Sequence, residues 1–306
     1  MRRSKIIFLM VFMVMLAIQA DIHAFNSRLA LKDMAVGEVS WKNERELIAK
    51  PYGDPTYQLV KVNTTWEIRP LHIRDNTKFF KWSHKRDKLL YWRNGNLLLT
   101  KLEKMGSDSV LVGKTAETEP CWSPDDKYFT YIRDNHVWIC TTNLKTKKRV
   151  TKKAVNEAIY PQWTNSGKEI VFQGAYKNSY TLWKVNVKTG ETKVINDKLK
   201  CLYYKWQMWN DKIVVIDENT FDIKQLSLTG ELSNLTRDRV AGRTIIQYNA
   251  DGIYYTDNSR NLFQLANGSA KLILKEVDYA CISPSGNSLA YAKDNQFYIA
   301  ENFMNR

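Results

Sequence analysis

Four histidines (His23, His72, His84 and His136) and four cysteines (Cys121, Cys140, Cys201 and Cys281) are the scarce groups that could ligate a metal or act as nucleophiles. No histidine stands in an HExxH or HxH arrangement and no CxxC pair occurs, so a zinc or manganese centre has no spacing to rest on. A G-x-S-x-G elbow, a P-loop and a dinucleotide fingerprint are all absent. Carboxylates are plentiful, but an acid and nucleophile pair is defined by separation in space. Asp75, Asp125 and Asp217 sit in turn-like sequence and are as well explained by turn chemistry. No catalytic residue, metal ligand or cofactor is therefore expected.

The elements that would position any such group come from a repeat. An aromatic or apolar anchor ends one short apolar stretch, a polar turn follows, and a second apolar run begins seven residues after the anchor. CWSPDDKYFTYIRDN, with Trp122 and Phe129, is the clearest copy. The anchors are Trp41, Trp82, Trp122, Trp163, Trp206, Tyr248 and Ile282, and most are spaced near 41 residues, with the last interval shortened to 34. A second mark, an apolar pair about sixteen residues on, recurs in phase as Val137-Trp138, Leu182-Trp183, Leu262-Phe263 and Phe297-Tyr298. Runs of five to eight residues between Asn, Asp, Gly and Ser turns read as strands, and helical periodicity is missing. Four strands per unit of about 40 residues is the period of a propeller blade.

The fold expected is thus all-β, a single β-propeller of four-stranded blades. Seven blades are favoured by the anchors, with six as the alternative. The last repeat supplies only three strands, so residues 28–34 (RLALKDM) are expected to close the ring as the fourth strand of the final blade.

WSPDDKYFTYI, followed by an apolar-aromatic strand and a strand rich in Lys and Thr, resembles the WD-like propeller repeats of the TolB family. Trp122, Ser123, Pro124, Asp125 and Lys127 match that motif, and residues 163–168 (WTNSGK) and 282–286 (ISPSG) are looser versions. The resemblance implies a binding scaffold outside the cytoplasm. It does not extend to the α/β domain that precedes the propeller in that family.

Residues 1–20 are read as a signal peptide and 21–306 as the propeller domain. Arg2, Arg3 and Lys5 precede an apolar run from Ile6 to Ile18, shorter than the roughly 20 residues that span a bilayer, with Ala20 or Ala24 for cleavage. A periplasmic or secreted monomer without a transmembrane span after cleavage is expected. The net charge of +14 stays strongly positive when those three charges are removed. Acidic partners follow from it: an envelope protein, an anionic glycan or an anionic membrane surface, and not nucleic acid in an exported chain.

In a four-stranded meander, the turns joining strands one to two and three to four share one rim. His84, Lys85 and Arg86, together with Lys145, Lys147 and Lys148, form the candidate binding patch there, with Lys168 and Lys188 on the next blade. Solvated hairpin tips are the plainer explanation. The other rim carries Asp134-Asn135, Asp217-Glu218-Asn219, Asp257-Asn258 and Asp294-Asn295, where tight turns account for the pattern as well as calcium would. Cys121 and Cys281 fall at equivalent positions of nearly opposite blades, beyond disulfide reach, so four thiols are expected. The function expected is a non-enzymatic binding or scaffold propeller. The alternative is a lyase or glycosidase acting on an acidic polysaccharide.

Overall fold

The computed structural model describes residues 27–31, 36–51, 57–61, 67–71, 77–101, 110–249, 251–301 and 303. The leader assigned to residues 1–20, His23, His72, Asp75 and residues 32–34 of the closing segment lie outside the described residues.

Among the described residues the strands form seven four-stranded antiparallel sheets, six of them plain meanders in chain order. They are blade one (36–71), two (77–114), three (121–149), four (159–194), five (201–234), six (244–274) and seven (279–301). Each sheet touches the sheets before and after it, and the seventh returns to the first, so the sheets close a propeller ring. Blade seven is completed from the other end of the chain. Ser27–Leu31 pairs antiparallel with Gln296–Glu301, placing Arg28 opposite Ile299 and Leu29 opposite Tyr298. Among the described residues no helix is long and apolar enough to cross a membrane.

The anchor repeat is written by the packing between blades. Seven apolar clusters correspond to the seven blade boundaries, and each anchor faces the preceding blade. Trp82 packs with Ile48 of blade one, Trp122 with Leu90 and Leu97 of blade two, and Trp206 with Val171 of blade four. Trp41 packs against Ala290, Phe297 and Ile299 of blade seven. Burying a side chain of this size contributes roughly 1.5–3 kcal/mol. At two anchors tryptophan adds a directional bond: Trp122 Nε1 donates to Lys81 O at 2.9 Å and Trp41 Nε1 to Cys281 O at 3.1 Å, both across a boundary. The in-phase apolar pairs lie on the third strands, as Val137 and Phe297 show in His136–Thr141 and Gln296–Glu301.

The turn after the anchor is closed by a hydroxyl. Ser83, Ser123, Thr164 and Ser283, each one residue past its anchor, are buried. Their side-chain oxygens accept the N–H five residues on, at 2.9 Å for Tyr128 and 3.0 Å for Ser288. The fourth residue past the anchor then takes positive φ: Arg86, Asp126, Gly167 and Gly286 at 59°, 56°, 65° and 86°. In the WSPD motif this hydroxyl works with the Asp, since Ser123 Oγ donates to Asp125 Oδ1 at 2.8 Å.

A basic rim and the groove between blades three and four

On the rim formed by these turns, the six candidate residues separate into three environments. At the boundary of blades two and three, the Asp126 carboxylate accepts the backbone N–H groups of His84 and Lys85, each at 2.9 Å, and lies 2.8 Å from His84 Nδ1. Burial opposes ionisation of Asp126, but these donors together outweigh it and hold the carboxyl below its ordinary value. Arg86 is beside them, its pKa lowered by burial against the pull of Asp126 and Glu44. His84 and Lys85 thus spend their backbone donors on a neighbouring blade.

The same clasp recurs. Asn165 N donates to Asp211 Oδ1 at 2.8 Å between blades four and five, and Ser285 N to Glu44 Oε1 at 2.8 Å between seven and one. In each case the carboxylate comes from the turn of the following blade. Blades three and seven present Pro124 and Pro284 at the position of His84 and Asn165, where no N–H is available, and blade seven clasps instead through the next residue, Ser285.

Lys147 and Lys148 are adjacent in Lys147–Arg149 and point to opposite faces, as strand geometry requires. Lys147 Nζ crosses back to Val112 O on blade two. Lys148 faces forward into a groove of about 810 Å³ between blades three and four. Lys145 is exposed on the third-to-fourth-strand turn, its N–H donated to Asn143 Oδ1 at 3.1 Å.

The groove has an apolar floor that includes Ile139, Trp163 and Val187, with Tyr128 on its wall. Lys148, Lys168 and Lys188 stand around it. All three are exposed, and among the described residues none has a carboxylate within ion-pair distance. Asp125 is the single carboxylate among the lining residues, and Ser123 Oγ at 2.8 Å and Lys127 N at 3.1 Å already occupy it. The arrangement is an apolar cleft ringed by uncompensated positive charge, able to hold a ligand that is anionic along its edges and flat or apolar in its body.

The opposite rim is chemically different. Asp217 is 2% exposed; its Oδ1 accepts Asn219 N at 3.0 Å and Thr220 N at 2.9 Å, and Lys224 Nζ lies 3.1 Å from Oδ2. Asp134-Asn135 and Asp294-Asn295 both have positive φ at two successive residues, the two-residue hairpin turn that favours Asx. Among the described residues no three His, Cys, Asp or Glu side chains converge on one point. His136 Nδ1 lies 2.8 Å from Thr151 Oγ1.

Lys81, Cys121 and Gln162, each one residue before its anchor, line a smaller cavity together with Glu119 and Gln207. Lys81 pairs with Glu119 at 2.7 Å; burial would lower its pKa, and the carboxylate outweighs that and raises it. All four cysteines are free thiols, Cys140 and Cys201 buried and Cys121 and Cys281 half-buried.

Two features of this rim differ in how far they are marked in the sequence. The exposed aromatics Tyr128 and Trp209 carry no periodic mark, because they replace nothing in the repeat. The anchoring hydroxyls do carry one, since Ser or Thr follows the anchor in four repeats.

No family model matches the chain, and no curated protein matches it. Solved structures do. An oligogalacturonate lyase from Vibrio parahaemolyticus aligns with a TM-score of 0.67 at 11% identity, covering 90% of this chain and 93% of that one. Streptogramin B lyase aligns at 0.65 and 10% identity over 90% and 97%. TolB from Acinetobacter baumannii aligns at 0.51 and 11% identity over 88% and 78%. At these identities the likeness is one of fold: a TolB-like β-propeller.

Proposed function

We propose that the chain is an exported, non-catalytic propeller that holds an acidic envelope protein or an anionic glycan on its basic rim. The groove carries this reading. Lys148, Lys168 and Lys188 surround an apolar floor and lack carboxylate partners among the described residues, whereas Lys78, Lys81 and Lys224 elsewhere are paired. Uncompensated ammonium groups on one face attract and orient an anion at little desolvation cost. Export rests on the charged and apolar pattern of residues 1–20.

The second reading, a lyase or glycosidase on an acidic polysaccharide, is favoured by the likeness to an oligogalacturonate lyase. Both described histidines are engaged in local contacts, His84 with Asp126 and His136 with Thr151. One experiment separates the two. The purified protein is incubated with oligogalacturonate, with and without manganese, while retention on the immobilised polymer is followed in parallel. Salt-sensitive retention without product supports binding alone. Release of unsaturated or shortened oligomers would sink that reading in favour of catalysis. N-terminal sequencing of protein recovered from a native host checks export, which predicts a start near residue 21 or 25.

A further inference from the structure

Tyr128 and Trp209, each 37% exposed, are two of the few large apolar side chains left open to solvent among the described residues. Both lie on the basic rim, on either side of blade four. Tyr128 opens the second strand of blade three immediately after its turn, and Trp209 ends Cys201–Trp209, the first strand of blade five, immediately before its turn. Tyr128 lines the groove with Lys148, Lys168 and Lys188. The groove's far side meets the turn of blade five, where groove-lining Asn165 donates from Nδ2 to Asn210 Oδ1 at 2.7 Å, one residue past Trp209, whose ring turns onward to Tyr248 of blade six. Neither aromatic is loosely held. The Tyr128 backbone is pinned through both N and O to Ser123, and the Trp209 ring packs edge-on against Tyr248 with centroids 5.7 Å apart.

We infer that this rim is a track for an extended, carboxylate-bearing oligosaccharide running from Tyr128 across blades four and five to Trp209. The inference rests on the basic-rim reading above and narrows it to one ligand class. Pyranose rings present a flat face of C–H groups to an aromatic ring, which gives the two end positions. The ring carboxylates project sideways at each residue and meet lysine ammonium groups, which act as point charges without a fixed directional demand. An acidic peptide satisfies the lysines and leaves the aromatics without a flat partner.

The test measures affinity for a fluorescent hexameric oligouronate at fixed salt. Its methyl ester, a polyglutamate of matched charge and an oligothymidylate serve as comparison ligands. The unmodified hexamer should bind and its ester should not. Tyr128→Ala and Trp209→Ala should each weaken the hexamer about three- to tenfold, with Tyr128→Phe and Trp209→Phe restoring it. Lys148→Gln, Lys168→Gln and Lys188→Gln together should remove most of the affinity and flatten its salt dependence.

Unchanged hexamer affinity in both alanine variants, with loss in the triple lysine variant, overturns the saccharide track and leaves the basic rim standing. An unaffected triple variant overturns both. Tighter binding of polyglutamate or oligothymidylate assigns the rim to a different polymer and overturns the inference, as does absence of hexamer binding. All five positions are exposed, and thermal unfolding of each variant checks that its fold is intact.

Discussion

Asp126 closes its own turn with its backbone and clasps its neighbour with its side chain. Its N–H bonds Ser123 O at 2.9 Å in a left-handed conformation, while its carboxylate takes up two N–H groups of blade two. Removing the carboxylate strands both donors in a half-buried junction, so Asp126→Ala should destabilise the fold by about 1–3 kcal/mol in urea titration. Asp126→Asn tolerates the same backbone conformation and keeps an acceptor, so it should cost less. The pH dependence has a definite sign. The folded carboxyl sits below its ordinary value of 3.8, so its contribution is complete above that value and is lost as pH falls beneath it. The wild type should therefore lose stability more steeply than Asp126→Asn in that acid range. Parallel curves would deny the clasp its charge.

The thiols make a second residue-scale expectation. Burial pushes Cys140 up to about 11 and Cys201 and Cys281 up to about 12, and raises Cys121 as well. Thiolate is the reactive species, so the native protein should react slowly with a disulfide reagent near neutral pH. After unfolding without reductant, four thiols should titrate.

At the scale of elements, the closing strand is the simplest thing to remove. Without Ser27–Leu31, Gln296–Glu301 becomes an unpaired edge and the seventh sheet keeps three strands. Deleting residues 27–31 should lower the melting temperature markedly and promote aggregation, read by calorimetry and light scattering. A neutral deletion would mean that the ring does not depend on this pairing. The strand was legible because a three-stranded last repeat demands a fourth, and only the segment before Trp41 was left without a blade. The anchors were legible for a related reason: each blade boundary needs a large side chain at the same height, so one packing demand is written repeatedly. The site was less so. Lys147 and Lys148 looked like one patch in sequence, yet alternation sends one back to Val112 and the other forward to the groove. Which blade each face meets depends on the sense in which the ring closes, and His84 and Lys85 were drawn into a clasp whose acceptor lies about one repeat away.

At the scale of the molecule, the question is whether binding reads net charge or the placement of charge. Every lysine on a protein of +14 contributes to long-range attraction. At 0.1 M salt that reach shrinks to about 10 Å, and only charges close to the ligand still count. The two rims differ in what their charges do. On the groove side Lys148, Lys168 and Lys188 converge on one cleft, while on the other side Lys78 is paired by Glu117, and Glu157 and Glu218 accept the hydroxyls of Tyr180 and Ser179. Two charge-matched triple reversals separate the possibilities. Lys148→Glu, Lys168→Glu and Lys188→Glu alter the groove; Lys153→Glu, Lys177→Glu and Lys200→Glu alter exposed positions on the opposite rim by the same net charge. Retention on heparin or anionic vesicles should fall for both at low salt. Near 0.1 M the groove variant should elute far earlier, whereas the opposite-rim variant should approach the wild type. Equal losses at both salts would mean that total charge drives retention and that the rim has no privileged face.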